Sequence, residues 1–167
     1  AGIGDRSLML SYLLKKNMKY FLGELTPEGT KTQKYLIKKY NFKNFKTFNF
    51  DFFGKNKYNF HLKKPIFITS YAIEQLTYLN DDFYISLKKR FNLKKLNILH
   101  IEPVGFQFKK SIFQENNKKY NLENNYNLNL ANIVKKTKVK KLEVSPYVYT
   151  FTTKNKRKSI SSSPAIV

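Results

Sequence analysis

The chain has no cysteine, which excludes disulfides and thiolate metal sites and fits a reducing compartment. Its two histidines, His61 and His100, lie far apart with no carboxylates at ligand spacing. Each is read as a surface or hydrogen-bonded core histidine rather than a metal ligand. P-loop, Gly-x-Ser-x-Gly and His-Glu patterns are absent, and Asp51, Glu74, Asp81, Asp82 and Glu102 show no paired spacing for acid–base or two-metal chemistry. The sequence therefore predicts neither an enzyme nor a bound cofactor or metal. It also lacks any run of about eighteen apolar residues, so a membrane is not the expected partner.

Acidic residues are scarce as well. Eleven Asp and Glu face thirty-two Lys and Arg, for a net charge of +21 over 167 residues. A charge of that size repels itself in a compact monomer and calls for a polyanion, nucleic acid being the default. The length allows one medium domain, or a small one with extensions. Lysine, asparagine, phenylalanine, tyrosine and isoleucine dominate, with no tryptophan; this is the usage that AT-rich codons supply.

Gly2-Ile3-Gly4 followed by Arg6 and Ser7 opens the chain. Glycines flanking an apolar residue permit a sharp turn with positive φ and let backbone amides approach phosphate, while Arg6 adds a planar charged fork. Leu10, Leu13, Leu14 and Met18 then recur at helical spacing with Lys15, Lys16 and Lys19 outside, predicting a helix that ends near Gly23. Thr26-Pro27-Glu28 reads as the start of a second helix, with threonine as N-cap, proline at the first position and glutamate against the dipole. That helix is predicted to reach about Tyr40 and to bury Leu36, Ile37 and Tyr40.

This order, with Leu25-Thr26-x-Glu28 and Ile37-x-x-Tyr40, resembles the N-terminal part of small-subunit ribosomal protein thirteen of the bacterial and organellar type, over residues 2 to 40. In that family a glycine turn opens one helix and a Leu-Thr-x-Glu cap the next, forming a helix-two-turns-helix unit on ribosomal RNA. The family's basic tail reads roughly Leu-Pro-x-x-Gly-Gln-x-Thr-x-x-Asn-x-Arg. Here Pro146, Thr152, Asn155 and Arg157 fall at that spacing, Tyr149 and Thr150 replace the Gly-Gln, and the family's Arg-Gly-x-Arg-His stretch is not found. The resemblance implies a structural component of the small-subunit head. Its partners would be small-subunit rRNA, the P-site tRNA, small-subunit protein nineteen and large-subunit protein five across the intersubunit bridge. With the AT-rich composition it implies a mitochondrial ribosome. No targeting peptide is visible, so the compartment rests on composition and resemblance.

Between these ends, residues 41 to 60 interleave aromatics with lysines and asparagines. Half-buried strands or a hairpin turning at Phe53-Gly54-Lys55-Asn56 are expected, the rings packing rather than stacking on bases. Ser70 is expected to cap a short helix carrying Ile73, Leu76 and Leu79. Asp81-Asp82 should cap another, with Phe83, Leu87 and Phe91 inward and Lys88, Lys89 and Arg90 outward. Leu96, Ile98 and Ile101, then Val104, Phe106 and Phe108, suggest strands on either side of Pro103. Residues 115 to 132 are asparagine-dominated, a loose linker or weak helix. Residues 108 to 167 hold thirteen basic and three acidic residues, too polar to build a core alone.

The expected architecture is mainly α. It comprises a helix-two-turns-helix head (1–46), an inserted mixed α/β region (47–112), an asparagine-rich linker (113–134) and an extended basic tail (135–167). The expected rRNA contacts are Gly2, Ile3, Gly4, Arg6, Ser7, Lys135, Lys136, Lys138, Lys140 and Lys141. In the tail, Thr152, Lys154, Asn155, Lys156, Arg157 and Lys158 are expected to contact tRNA or rRNA. Two other classes compete. A homing endonuclease or maturase would need acidic residues at the ends of paired helices, which are not evident, and an accessory subunit of another mitochondrial assembly would not need such a charge.

Overall fold

A strand stands where the sequence predicts the end of the first helix. The computed structural model describes residues 4–14, 18–108, 112–137, 143–144, 149–153, 156–160 and 163–166. The chain divides into two compact units, Ala1–Lys55 and Asn56–Val167. In the first unit, α1 spans Asp5–Leu14, β1 Tyr20–Glu24, α2 Pro27–Lys39 and β2 Phe45–Asn49. Strands β1 and β2 pair in parallel, with Tyr20 opposite Phe45, Leu22 opposite Thr47 and Glu24 opposite Asn49. Parallel neighbours need a crossover, and α2 supplies it.

The unit is therefore built around a β-α-β crossover, and the expected helix-two-turns-helix is corrected by it. The fold as a whole is mixed α/β, not mainly α. The helical spacing through Met18 carries no information about the partner strand more than twenty residues downstream, whose backbone pairs with Tyr20-Phe21-Leu22. That ladder, and the β propensity of adjacent aromatics, decides the conformation. Nor do residues 45 to 56 form a hairpin. The turn comes earlier than expected, with the Asp51 carboxylate accepting from Phe53 N–H at 2.8 Å and the Asp51 carbonyl from Gly54 N–H at 3.2 Å.

Helix α2 starts as the sequence predicts. Thr26 Oγ1 accepts from Gly29 N–H at 3.1 Å, Pro27 takes the first position and Glu28 lies in the first turn. Its inner face is only partly as expected: Gln33 is fully buried, Leu36 and Ile37 are half-buried, and Tyr40 is 57% exposed. Tyr40 misses the core because it is the C-cap residue, where the chain already leaves the helix.

The exits of three helices share one device. Asn41 has φ 53°, donates to the Lys38 carbonyl at 3.2 Å, and is followed by Phe42 donating to Ile37 at 3.0 Å. Asn92 (φ 51°) and Asn125 (φ 53°) repeat this pattern after the helices Phe83–Arg90 and Ile112–Glu123. These are Schellman closures in which asparagine does the left-handed work usually given to glycine. Asn92→Ala should lower stability by about 1–2 kcal/mol while Asn92→Gly does not; urea unfolding midpoints of the two variants check this.

The second unit repeats the crossover. Strand β3 (Phe67–Ser70) and β4 (Ile98–Glu102) pair in parallel, joined through α3 (Phe83–Arg90). After a 3-10 turn at Gly105–Gln107 come α4 (Ile112–Glu123), α5 (Leu130–Lys136), β5 (Glu143–Val144), β6 (Tyr149–Thr153), β7 (Lys156–Ile160) and β8 (Ser163–Ile166). The main sheet has the order β3-β4-β8-β5, and β6 pairs antiparallel with β7. Thus the far end of the basic tail, β8, completes a sheet with β4 instead of trailing from it.

Several local expectations are corrected in this unit. Residues 71–80 form no α-helix; Ile73 and Leu79 are fully buried, but from an irregular loop. The expected strand at 104–108 is the 3-10 turn. Phe83, Leu87 and Phe91 point inward as predicted, yet Arg90 joins them at 5% exposure. Its Nε donates to the Asn56 carbonyl at 3.2 Å, and its guanidinium lies 5.5 Å from the centre of the Tyr58 ring. That ring in turn stacks on Phe91 at 4.7 Å. A buried cation is tolerable when its donors are used and its plane lies against an aromatic face.

The asparagine-rich stretch is not a loose linker. Helix α5 buries Leu130, Ala131, Ile133 and Val134 in the core. Asparagines tie its start to the loop at 71–80. Asn127 Nδ2 donates to the Leu76 carbonyl at 3.1 Å, and Asn129 exchanges hydrogen bonds with both backbone groups of Leu79, at 3.0 and 2.8 Å. The loop escapes a helical conformation because these side chains satisfy its backbone instead.

Candidate nucleic-acid interface

The outer face of α2 carries Lys31, Lys34, Tyr35, Lys38 and Lys39, all exposed. Lys31, Lys34 and Lys38 recur at three- and four-residue steps and so form one ridge. Gln33 and half-buried Leu36 and Ile37 hold the opposite side of the helix. Lysines three and four apart repel by a few tenths of a kcal/mol per pair. None of the four lysines has an ion-pair partner among the described residues. The ridge therefore presents uncompensated positive charge in a geometry fixed by the helix.

Aromatic rings flank it. Tyr35 is 59% exposed, and Lys39 Nζ lies 5.7 Å from its ring centre and 5.5 Å from that of Tyr40. Tyr40 is backed by a run of rings leading into the unit: Phe42 at 6.2 Å, then Phe45 at 5.1 Å from Phe42, then Tyr20 stacked on Phe45 at 4.5 Å. Exposure falls from Tyr40 through half-buried Phe42 to buried Phe45. Phe48, Phe50 and Phe52 are half-buried and contact one another edge-on, 5.9 and 5.0 Å between centres. The packing expected for the aromatic stretch thus describes most of its rings. The signal for the α2 ridge in the sequence is the helical spacing of its lysines opposite the apolar face.

Among the expected contact residues, Gly2, Ile3, Lys138, Lys140, Lys141, Lys154 and Asn155 lie outside the described residues. Gly4 has the positive φ expected of the glycine turn, 83°, but it is buried, and a Cβ there would come within 2.9 Å of Leu22 Cδ1. It serves close packing of the start of α1 against β1. Arg6 is exposed and Ser7 half-buried on α1. Lys135 is exposed, while Lys136 Nζ sits 2.8 Å from both Asp81 oxygens. The β6–β7 pairing sets Thr152 opposite Arg157, Thr153 opposite Lys156 and Phe151 opposite Lys158, so these tail residues share one ladder.

One histidine and one carboxylate are sealed together inside the second unit. His100 and Glu102, both on β4, have no exposed surface. Thr69 Oγ1 lies 2.7 Å from His100 Nδ1 and Tyr84 Oη 3.0 Å from Nε2. The Glu102 carboxylate receives Ala72 N–H at 3.0 Å, Glu74 N–H at 3.3 Å and the Thr69 hydroxyl. The Thr69 and Tyr84 hydroxyls thus occupy both ring nitrogens of His100, which in the neutral imidazole are one donor and one acceptor. Burial pushes the His100 pKa down to about 4 and the Tyr84 phenol above its usual value. Burial also raises the Glu102 carboxyl, against the lowering effect of its donors. The chain is a hydrogen-bonded core network, His100 being the satisfied core histidine the sequence allowed, and His61 is exposed.

Among the described residues no group of three His, Cys, Asp or Glu could hold a metal ion, and no helix is long and apolar enough to cross a membrane. No family model and no curated protein matches this sequence. What the fold and surface define is a small mixed α/β protein with a lysine ridge.

Proposed function

We propose that this chain is a non-catalytic RNA-binding protein, built into the head of the small subunit of a mitochondrial ribosome. The observation that carries the reading is the ridge Lys31–Lys34–Lys38 with Lys39 beside it, all exposed and free of ion pairs among the described residues, on a chain of net charge +21. A polyanion relieves both the local repulsion and the global one. The choice of ribosome rests on the tail residues Pro146, Thr152, Asn155 and Arg157 and on the glycine turn, not on the fold of the head. Small-subunit rRNA is the primary partner in this reading, with P-site tRNA and proteins nineteen and five as the neighbours the resemblance implies.

The test is sedimentation of the tagged chain with small subunits from mitochondria, with ultraviolet crosslinking to rRNA. Recovery in fractions free of ribosomal RNA would refute the proposal. A binding measurement quantifies it. Each phosphate neutralised contributes a slope of about −0.9 on duplex and −0.7 on single strands to log K against log salt. Replacing Lys31, Lys34, Lys38 and Lys39 by Gln should shallow the slope by several units. Because β8 belongs to the main sheet, deletion of the tail is the wrong probe of its charge. Lys156, Arg157 and Lys158 should instead be neutralised by Gln, with a further shallowing expected by filter binding.

A further inference from the structure

The exposed end of the aromatic run on α2 has a more specific use than charge. We infer that Tyr35 and Tyr40, bridged by Lys39, form a stacking platform for unpaired nucleotides, so that this face takes single-stranded RNA in preference to duplex. The inference rests on the RNA-binding reading above and deepens it.

Isolated surface tyrosines need no explanation. These two differ in sharing one cation, with Lys39 Nζ 5.7 and 5.5 Å from their ring centres, while remaining 59% and 57% exposed. Each ring is thus engaged by an ammonium and still offers aromatic surface to solvent. Tyr40 is further braced by Phe42, which leans on buried Phe45, so its ring is positioned from behind before any ligand arrives. The Schellman closure at Asn41, with Phe42 N–H bonded to the Ile37 carbonyl at 3.0 Å, fixes the turn that presents it. A preorganised ring loses little freedom when a base stacks on it.

The surrounding charge selects the ligand. Lys31, Lys34 and Lys38 are exposed on the same helix beside Tyr35, which suits a phosphate backbone running past stacked bases. In a duplex the base faces are already stacked on one another and cannot reach a ring; loops, bulges and single strands expose them. Lysines alone would bind both forms. Aromatic surface among lysines is what distinguishes the two.

The experiment uses the full chain and two probes: a short oligoribonucleotide of mixed sequence, and the same strand annealed to its complement. The parent should bind the single strand more tightly. Tyr35→Ala with Tyr40→Ala should weaken single-strand binding roughly ten- to hundred-fold and leave duplex binding unchanged. Tyr35→Phe with Tyr40→Phe should keep the parent's affinity for both, because the ring and not the hydroxyl is used. Both rings are exposed, so circular dichroism should show the parent's fold in every variant. If the parent binds RNA but the alanine variant binds the single strand equally well, or loses duplex binding to the same extent, the platform is overturned and the RNA-binding reading stands. If the parent binds neither probe, both fall.

Discussion

Asn127→Ala is expected to destabilise the protein by about 2–5 kcal/mol, although asparagine in an asparagine-rich stretch would ordinarily look replaceable. Asn127 has no exposed surface. Its Nδ2 donates to the Leu76 carbonyl at 3.1 Å and to Asn129 Oδ1 at 3.0 Å, and its Oδ1 accepts from Asn129 N–H at 3.1 Å and Leu130 N–H at 2.8 Å. Alanine leaves backbone groups of both the 71–80 loop and the start of α5 without partners, and each buried orphan costs about 1–3 kcal/mol. Urea unfolding of the variant measures the loss. Asn124 provides the contrast: its Nδ2 bonds the Tyr120 carbonyl at 2.8 Å on an exposed surface, so Asn124→Ala should change stability by no more than about 0.5 kcal/mol. Equal, small effects at both positions would show that the asparagine clamp does not hold the loop.

Acid should weaken the fold through His100, by about 3 kcal/mol between pH 6.5 and 4. In the unfolded chain the imidazole titrates near its ordinary value of 6.5, whereas burial holds the folded value at about 4. Between those limits the unfolded state binds more protons than the folded one, so stability is complete above pH 6.5 and is lost progressively as pH falls. Each unit of displacement is worth about 1.4 kcal/mol, which sets the total. Glu102 acts in the opposite direction: its folded carboxyl titrates above the usual value, so its contribution is largest in acid and is lost as pH rises through the folded value. The comparison must therefore be made against a variant that keeps Glu102. In denaturant unfolding across this range, the stability advantage of the parent over His100→Gln should shrink by about 3 kcal/mol. An advantage that stays constant with pH would mean that His100 charges freely in the fold.

How much of this was legible in the sequence depends on how local each determinant is. The start of α2 could be read from Thr26-Pro27-Glu28 because an N-cap is settled within four residues. The inward residues Phe83, Leu87 and Phe91 followed from spacing along one helix. The loop at 71–80 could not be read, since its apolar residues sit at helical spacing while the groups that satisfy its backbone lie about fifty residues away on Asn127 and Asn129. Strand β1 was missed for the same reason, its ladder partner being β2. Arg90 looked like one of three outward bases, and it is held inside by partners distant in sequence, among them the carbonyl of Asn56 and the ring of Tyr58.

For the candidate site, the charge balance of +21 with scarce acids was legible in the sequence alone, because net charge does not depend on fold. It could not place that charge. Lysines are spread along the whole chain, and which of them share a ridge follows from α2 being a crossover helix with one face turned to its strands. Which aromatic rings remain exposed follows from Tyr40 falling on the C-cap, just beyond the helix whose inner face it was expected to join. Composition is a sum over residues and survives in the sequence; position is set by pairing between distant segments, and only the tertiary structure supplies it.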